Sequence, residues 1–300
     1  MNRIYVCLIC IFLLAASIRA TEACTIISAK SNHRMLAAAN EDANNPNAKM
    51  WFVPASDTTY GRVCFGFDAD YRIAESGMND RGLFIDVNAL NADTGWKAEP
   101  GKPDWEEWEG WFGTGVPDGV LAKCATVSDA LRIFERYNLL TFARVKYLIA
   151  DRSGASAIVE WSRDSLRIIE TNGDYQVSTN FLTSDYAPGN EPCMRFEIAN
   201  RMLGEAGGEI SCDLMRAVMS ATCFEYFSFS PTIYSICCDL ASGDVTVYLF
   251  HNFEEALSFN LHERLAAGAA RHRLHDCFEN HSYSYRLFLE KAGGLRDPEP

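Results

Sequence analysis

Cys24 would carry two reactive groups if it became the first residue of the chain. It lies in residues 21–25, which read Thr-Glu-Ala-Cys-Thr, and cleavage after Ala23 would free its α-amino group. That amine has an ordinary pKa of about 7.7–8.0, so a useful fraction is neutral near neutral pH and can accept the thiol proton. Cysteine is also partly thiolate there. The position predicts a nucleophile that bears its own base.

The residues before Cys24 are typical of an export signal. A positively charged start and an apolar run over residues 4–16 precede small residues that end at Ala23. The run is too short to span a bilayer as a helix. We therefore expect residues 1–23 to be a signal peptide and residues 24–300 to form a single domain. The product should be secreted or periplasmic, without stable membrane insertion.

Two other roles for Cys24 stay open, lipid attachment after a lipoprotein signal and one half of a disulfide. A lipoprotein signal normally has a Leu-like residue where this chain has Thr21 and a small one where it has Glu22. Of eleven cysteines, Cys7 and Cys10 belong to the expected signal, which leaves nine. In an oxidising compartment four bridges would leave one thiol free, and we assign it to Cys24. The candidates for bridging are Cys64, Cys124, Cys193, Cys212, Cys223, Cys237, Cys238 and Cys277.

Charge and composition restrict the partners. The chain has 27 Lys plus Arg against 40 Asp plus Glu, a net charge of -13, which argues against nucleic acid or an anionic membrane. No cofactor is expected. No metal is expected either, because the histidine- and cysteine-rich stretch near the C-terminus matches no familiar zinc pattern. That stretch contains His272, His275, Cys277 and His281.

Alternating elements predict an α+β domain. Runs of β-branched and aromatic residues around turn sequences predict three hairpins, which join residues 144–150 to 156–161, 166–169 to 175–179, and 232–237 to 245–250. Helical periodicity predicts three helices, over residues 129–137 with Ser128 as N-cap, 194–203 ending at Gly204, and 212–221. Strands grouped into hairpins favour layered antiparallel sheet over βαβ winding.

Short motifs follow one another along most of the chain after residue 23. They are Cys24-Thr25, Asn40-Glu41-Asp42, residues 77–83 (Gly-Met-Asn-Asp-Arg-Gly-Leu), Asn88, residues 177–180 (Val-Ser-Thr-Asn), Arg195-Phe196, residues 232–235 and residues 251–253. In order and spacing they resemble the choloylglycine hydrolase and penicillin V acylase group, with its relatives the acyl-coenzyme A:6-aminopenicillanate acyltransferases and acid ceramidase. The resemblance implies a four-layer αββα fold of the N-terminal-nucleophile (Ntn) hydrolases. It also implies hydrolysis of a linear, non-peptide C–N amide through a thioester on Cys24.

The resemblance assigns roles to two charged residues. Asp42 would hydrogen-bond and orient the freed amino group of Cys24. Arg195 would lower the thiolate pKa or brace the carboxylates. From residue chemistry alone, Asp42 could instead belong to an Asn-rich turn, and Arg195 could lie on a solvated helix face.

The oxyanion of the tetrahedral intermediate needs hydrogen-bond donors, which side-chain amides can supply. The resemblance implies Asn180 and Asn88 as these donors, with Asn91 or a backbone group as the alternative to Asn88. The bile-salt branch has an Arg before its Asn-x-Asp motif, where this chain has Ala39. This departure favours other linear amides over bile salts.

The sequence predicts a hydrolase of small N-acyl amines or N-acyl amino acids, but other functions stay open. The chain could be an acyltransferase of the same fold, a secreted disulfide-rich binding protein, or a papain-like enzyme that uses His251. Assembly into a homo-oligomer stays open as well.

Trp105, Trp108 and Trp111 recur every third residue. We expect them to pack on the core rather than to rim an acyl pocket.

Overall fold

The computed structural model describes residues 24–31, 34–108, 115–224 and 230–295. These residues form fourteen strands, numbered in chain order: β1 Thr25–Ser31, β2 Arg34–Asp42, β3 Lys49–Val53, β4 Arg62–Gly66, β5 Ser76–Asn79, β6 Leu83–Ala89, β7 Val145–Asp151, β8 Ser156–Ser162, β9 Ser165–Glu170, β10 Tyr175–Ser178, β11 Thr232–Asp239, β12 Asp244–Leu249, β13 Asn252–Asn260 and β14 Ala270–Arg273.

Helices lie between and after these strands. The α-helices are α1 Val116–Lys123, α2 Val127–Arg136, α3 Met194–Glu205, α4 Cys212–Thr222, α5 Leu261–Ala266 and α6 Tyr283–Lys291. Short 3₁₀ turns cover Trp105–Glu107, Leu140–Ala143, Thr183–Asp185 and Leu274–Cys277.

Two antiparallel sheets pack face to face. One has six strands in the order β10-β1-β2-β11-β12-β13, and the other has eight in the order β14-β3-β4-β5-β6-β7-β8-β9. The apolar residues between the sheets form one cluster, which includes Ile26, Ala39, Phe65 and Phe84. Burial of these side chains away from water holds the sheets together.

A helical layer covers the outer face of each sheet. Residues of α1 and α2 pack with Ile85 and Ile149 of the eight-stranded sheet, and residues of α3 and α4 pack with Ala38 and Cys237 of the six-stranded sheet. The order of layers is helix, sheet, sheet, helix. This confirms the predicted α+β class and the four-layer αββα architecture.

Strand β2 shows how the sequence fits between two layers. Met35, Ala37 and Ala39 pack between the sheets, whereas Leu36 and Ala38 pack toward the helices. Successive side chains of a strand point to opposite faces. The polar end of β2, residues 40–42, should therefore direct its side chains alternately toward α4 and into the space between the sheets.

The predicted hairpin between residues 166–169 and 175–179 is wrong. Both runs are strands, but β9 pairs with β8 and β10 pairs with β1 in the other sheet, so the Asn172-Gly173 segment crosses between sheets. A turn at Arg163 and Asp164, which adopt φ angles of 52° and 58°, joins β8 to β9 and makes them a hairpin. The turn contains no Gly, so the sequence did not predict it. The other two predicted hairpins are confirmed as β7–β8 and β11–β12.

Two helix ends differ from the prediction. The N-cap of α2 is Thr126, not Ser128, because the Thr126 hydroxyl accepts a hydrogen bond from the Asp129 N–H while the Asp129 carboxylate accepts one from the Thr126 N–H. This reciprocal capping box satisfies two N–H groups that the helix leaves free. Helix α3 continues through Gly204 and ends at Glu205.

Trp105 and Trp108 are buried in the core beneath the helical layer of the eight-stranded sheet. Their ring centroids lie 4.6 Å apart. Trp105 begins a 3₁₀ turn rather than an α-helix. The two rings therefore pack as expected, and Trp111 lies outside the described residues.

Candidate active site

Cys24 lies at the start of β1, where the register of the sheet places it beside the polar end of β2. Thr25 pairs with Asn40, so the preceding residue lies next to Glu41 and Asp42. The Cys24 Sγ lies 3.4 Å from Glu41 Oε2 and accepts a hydrogen bond from the Asp42 N–H at 3.5 Å. The residue is 7 % exposed. The thiol is thus fixed between a backbone donor and a carboxyl group.

This environment keeps the thiol of Cys24 protonated. Burial raises its pKa well above the usual value, and the negative charges of Glu41 and Asp42 raise the pKa further, while the hydrogen bond from Asp42 N–H opposes them. A thiolate is the reactive form of cysteine. To act as a nucleophile, this sulfur would therefore need a base that removes its proton.

Asp42 connects the start of β1 to helix α3. Arg195 Nη1 lies 2.8 Å from Asp42 Oδ2, and the Thr232 hydroxyl donates to Asp42 Oδ1 at 2.5 Å. Burial raises the pKa of Asp42 well above its usual value, and the Arg195 cation and the Thr232 hydrogen bond oppose that shift. The Arg195 side chain is only 15 % exposed. Arg195 is therefore not a solvated helix residue, and Asp42 is a strand residue rather than part of a turn.

Asn88 is brought directly to Cys24. It is fully buried on β6, in the opposite sheet, and its Nδ2 donates to the Cys24 carbonyl oxygen at 3.2 Å. The Ser178 hydroxyl donates to Asn88 Oδ1 at 2.5 Å, which fixes the orientation of the amide. The sequence alone left Asn91 as a rival for this position. Asn91 instead donates to the Asn180 carbonyl oxygen at 3.5 Å.

Asn180 follows β10, the neighbour of β1 in the sheet. Its Nδ2 donates to the Ala89 carbonyl oxygen at 2.8 Å. Its Oδ1 is buried and has no hydrogen-bond partner among the described residues. Asn180 and Arg195 line one cavity of about 400 Å³, together with apolar side chains that include Leu90, Phe181 and Tyr186. A volume of this size suits a small organic molecule.

A buried ion pair fixes the wall of this cavity. Lys146 Nζ lies 3.7 Å from Glu160 Oε2, and both side chains are 0 % exposed. Lys146 Nζ donates to the Phe181 carbonyl oxygen at 2.5 Å, and Glu160 accepts hydrogen bonds from the Thr183 and Ser184 N–H groups. Burial lowers the pKa of Lys146 to about 8. The pair thus anchors the segment that follows Asn180.

Glu41 is a site residue to which the sequence analysis gave no role. It lies inside the Asn40-Glu41-Asp42 motif and is 2 % exposed. Its carboxyl group interacts with that of Asp86 in the opposite sheet. Burial raises the pKa of both carboxyl groups, so the pair retains a proton more readily than two separate acids would. The alternation along β2 was the signal that could have found it, since Glu41 has the same parity as the inward-facing Ala39.

Other sequence candidates lie elsewhere. The His251 ring contacts the Phe224 carbonyl oxygen through Nε2 at 3.0 Å, and no contact of this ring with Cys24 is seen in the described part of the chain. His275 stacks on His281 with ring centroids 4.0 Å apart. Within residues 24–295, excluding those not described, no group of three or more His, Cys, Asp or Glu side chains could hold a metal ion. No helix of the described segments is long and apolar enough to cross a membrane.

A four-layer αββα sandwich is the fold of the Ntn hydrolases. Residues 27–189 match the family model of the linear amide C–N hydrolases, choloylglycine hydrolase family. The chain belongs to that family. It is therefore a hydrolase that acts on linear amide C–N bonds.

Solved structures share the fold. A variant of conjugated bile acid hydrolase from Clostridium perfringens aligns with a TM-score of 0.67 at 15% identity, over 86% of this chain and 97% of that one. Penicillin V acylase from Agrobacterium tumefaciens aligns with a TM-score of 0.55 at 19% identity, over 75% of this chain and 82% of that one. A search of curated proteins found no significant match.

Proposed function

We propose that Cys24, as the first residue of the mature chain, is the nucleophile of this amide hydrolase. The contact of Cys24 Sγ with the Asp42 N–H supports this most directly, because it brings Cys24 next to the residue whose carboxylate would hold a freed α-amino group. The Arg195–Asp42 ion pair fixes that carboxylate. Asp42 and Arg195 are positioning residues in this account.

In the first half-reaction the neutral α-amine takes the thiol proton as the sulfur attacks the amide carbon. The carbonyl oxygen becomes an oxyanion, for which Asn88 Nδ2 and Asn180 Nδ2 are the proposed donors. Collapse of the intermediate breaks the C–N bond, and the departing amine takes the proton from the α-ammonium. A thioester on Cys24 remains.

In the second half-reaction water replaces the amine. The neutral α-amine removes a proton from the water molecule as its oxygen attacks the thioester carbon. The C–S bond then breaks, the free acid leaves, and the proton returns to the sulfur. Each group ends in its starting state, so one turnover consumes one amide and one water.

The substrate we propose is a small N-acyl amine or N-acyl amino acid. The cavity beside Asn180 has apolar walls that suit an acyl chain. Position 39 is an alanine packed between the sheets, so no cation stands at that point of β2. This is the observation that favours other linear amides over bile salts.

Export and cleavage are part of the proposal, because the mechanism needs a free amino group on Cys24. We expect a culture that expresses the full chain to release protein whose intact mass begins at Cys24 without lipid. Active material that still carries residues ahead of Cys24 would contradict the mechanism, and a lipid on its amine or sulfur would do the same.

Glu41→Gln should speed alkylation of the Cys24 thiol severalfold at pH 8. The Glu41 carboxylate raises the pKa of Cys24, and its removal lowers that pKa and enlarges the thiolate fraction, by about tenfold for each unit of pKa. The measurement is the rate of iodoacetamide labelling at Cys24, read by peptide mass.

The matched control is Glu75→Gln, which removes a carboxyl group whose charge acts on Asp86. Labelling of Cys24 in this control should match that of the unmodified protein. Equal rates in Glu41→Gln and the parent would show that Glu41 carries no charge at that pH, contrary to the expectation.

A further inference from the structure

Two thiols meet on the outer face of the six-stranded sheet, where α4 begins. Cys212 is the first residue of α4, after the N-cap Ser211, whose hydroxyl accepts from the Leu214 N–H. Cys237 lies on β11, opposite Ala38 of β2 and Thr246 of β12. Arg34 connects the two residues, because it contacts Cys212 and pairs with Asp239, which shares a face of β11 with Cys237. The two thiols are close enough for each to shift the pKa of the other.

Side chains alternate between the two faces of β11, so Cys237 and Cys238 lie on opposite faces. Cys237 packs in the cluster beneath α4 with Met215 and Tyr248, whereas Cys238 packs between the sheets. Of Cys237 and Cys238, only Cys237 faces helix α4. Both Cys212 and Cys237 are free thiols in the structure.

The surroundings of Cys212 suit an attacking thiolate. Arg34 Nη1 lies 3.8 Å from Cys212 Sγ, and Arg34 is held in turn by Asp239, with Nε 3.0 Å from Oδ2. Interaction with the Cys237 thiol and then the Arg34 cation lower the pKa of Cys212 to about 6. The two thiols differ in access, since Cys212 is exposed and Cys237 is buried. An exposed thiolate and a buried thiol in contact are the two parts of an exchange pair.

We propose that Cys212 and Cys237 form a thiol–disulfide exchange pair, with Cys212 as the attacking and Cys237 as the resolving residue. The Cys212 thiolate attacks a low-molecular-weight disulfide, forms a mixed disulfide and expels one thiolate. Cys237 then loses its proton and attacks Cys212 Sγ, which expels the second small thiol. Two protein thiols are oxidised to one disulfide, and the small disulfide is reduced to two thiols.

The resulting bond would tie α4 to β11 at the helix N-terminus. The other end of α4 already contacts the strand that carries Asp42, because Asn40 Nδ2 donates to the Met219 carbonyl oxygen and to the Thr222 hydroxyl. Oxidation would therefore fix both ends of the helix against the sheet. This inference is independent of the role proposed for Cys24.

The test treats the reduced full chain with glutathione disulfide and maps its peptides by mass. The parent protein should lose two hydrogen atoms and yield a cross-linked peptide that joins Cys212 to Cys237, and dithiothreitol should reverse the change. Cys237→Ser should stop at one stable glutathione adduct on Cys212. Cys212→Ser should give neither product, and the control Cys223→Ser should behave as the parent.

The rate of the first step gives a second readout. It should rise with pH around 6 and level off by about pH 8, because the thiolate of Cys212 is then fully formed, whereas an ordinary thiol with a pKa of about 8.5 continues to gain rate. A Cys237→Ser protein that gains no adduct, a cross-link from Cys212 to another cysteine, or a rate that keeps rising to pH 9 would overturn the proposal.

Discussion

Cys24→Ala is expected to lower kcat/KM for hydrolysis of N-acyl amides by roughly 10⁴-fold or more. The substitution removes the atom that forms the thioester in the proposed mechanism, and the described residues place no second thiol against Asp42. Purified mature protein should be assayed on a panel of N-acyl amines and N-acyl amino acids. Cys24→Ser should keep at most a trace, because a hydroxyl is far less acidic than a thiol and the same amine would have to deprotonate it.

A control variant that removes a different thiol distinguishes loss of the nucleophile from loss of folding. Cys277→Ala removes a partly buried thiol that donates to the Arg273 carbonyl oxygen, and its kcat/KM should stay close to that of the parent. If Cys24→Ala retained hydrolysis while its unfolding midpoint matched the parent, the nucleophile would have to be sought elsewhere. The choice of Cys24 would then be wrong even though the family assignment stands.

Two of the hairpins in this fold are predicted by local sequence patterns. The hairpins β7–β8 and β11–β12 each combine β-branched runs with a Gly-containing turn, so local signals suffice. The turn at Arg163 and Asp164 carries no such signal, and its partner strand was therefore assigned to the wrong neighbour. Pairing between strands depends on the whole sheet, which short-range turn signals do not encode.

The candidate site was predictable in its residues more than in its contacts. The motifs led to Cys24, Asp42, Asn88 and Asn180, and the structure places Asp42 and Asn88 against Cys24. The resemblance gave Arg195 two roles, and only the tertiary contact of α3 with β2 shows that it pairs with Asp42.

A role for Glu41 was not predicted, because the resemblance assigns a role in the Asn40-Glu41-Asp42 motif to Asp42 alone. The carboxyl groups of Glu41 and Asp86 interact across the two sheets, and an interaction between residues so far apart in sequence leaves no local trace. The same is true of Thr232, which reaches Asp42 from β11.

The electrostatics of Asp42 make Arg195 a residue on which stability depends. The Asp42 side chain is 0 % exposed, and its one cationic partner among the described side chains is Arg195 at 2.8 Å. Burial alone would favour the neutral carboxylic acid. With Arg195 in place the carboxylate can persist, and that form is the one able to hold the α-amine of Cys24.

Arg195→Met is expected to lower the free energy of unfolding by about 3 kcal/mol near pH 8, because it leaves the buried Asp42 carboxylate without its cationic partner. The loss should shrink toward pH 5. Folding already raises the pKa of Asp42, and the pKa rises further without Arg195. The neutral acid then costs little, and the penalty grows as pH increases through the folded-state pKa. Urea unfolding at both pH values measures the difference.

Two further variants decide whether the lost charge pair is the cause. Arg201→Met removes an exposed arginine of the same helix, whose Nη1 lies 3.8 Å from Glu205 Oε2 with side chains 62 % and 68 % exposed, and exposed pairs contribute little. It should change stability by less than about 0.5 kcal/mol. Arg195→Met combined with Asp42→Asn should recover most of the loss, since no charge is then left buried. If the double variant were as unstable as Arg195→Met alone, the loss would come from packing of the arginine stem rather than from Asp42.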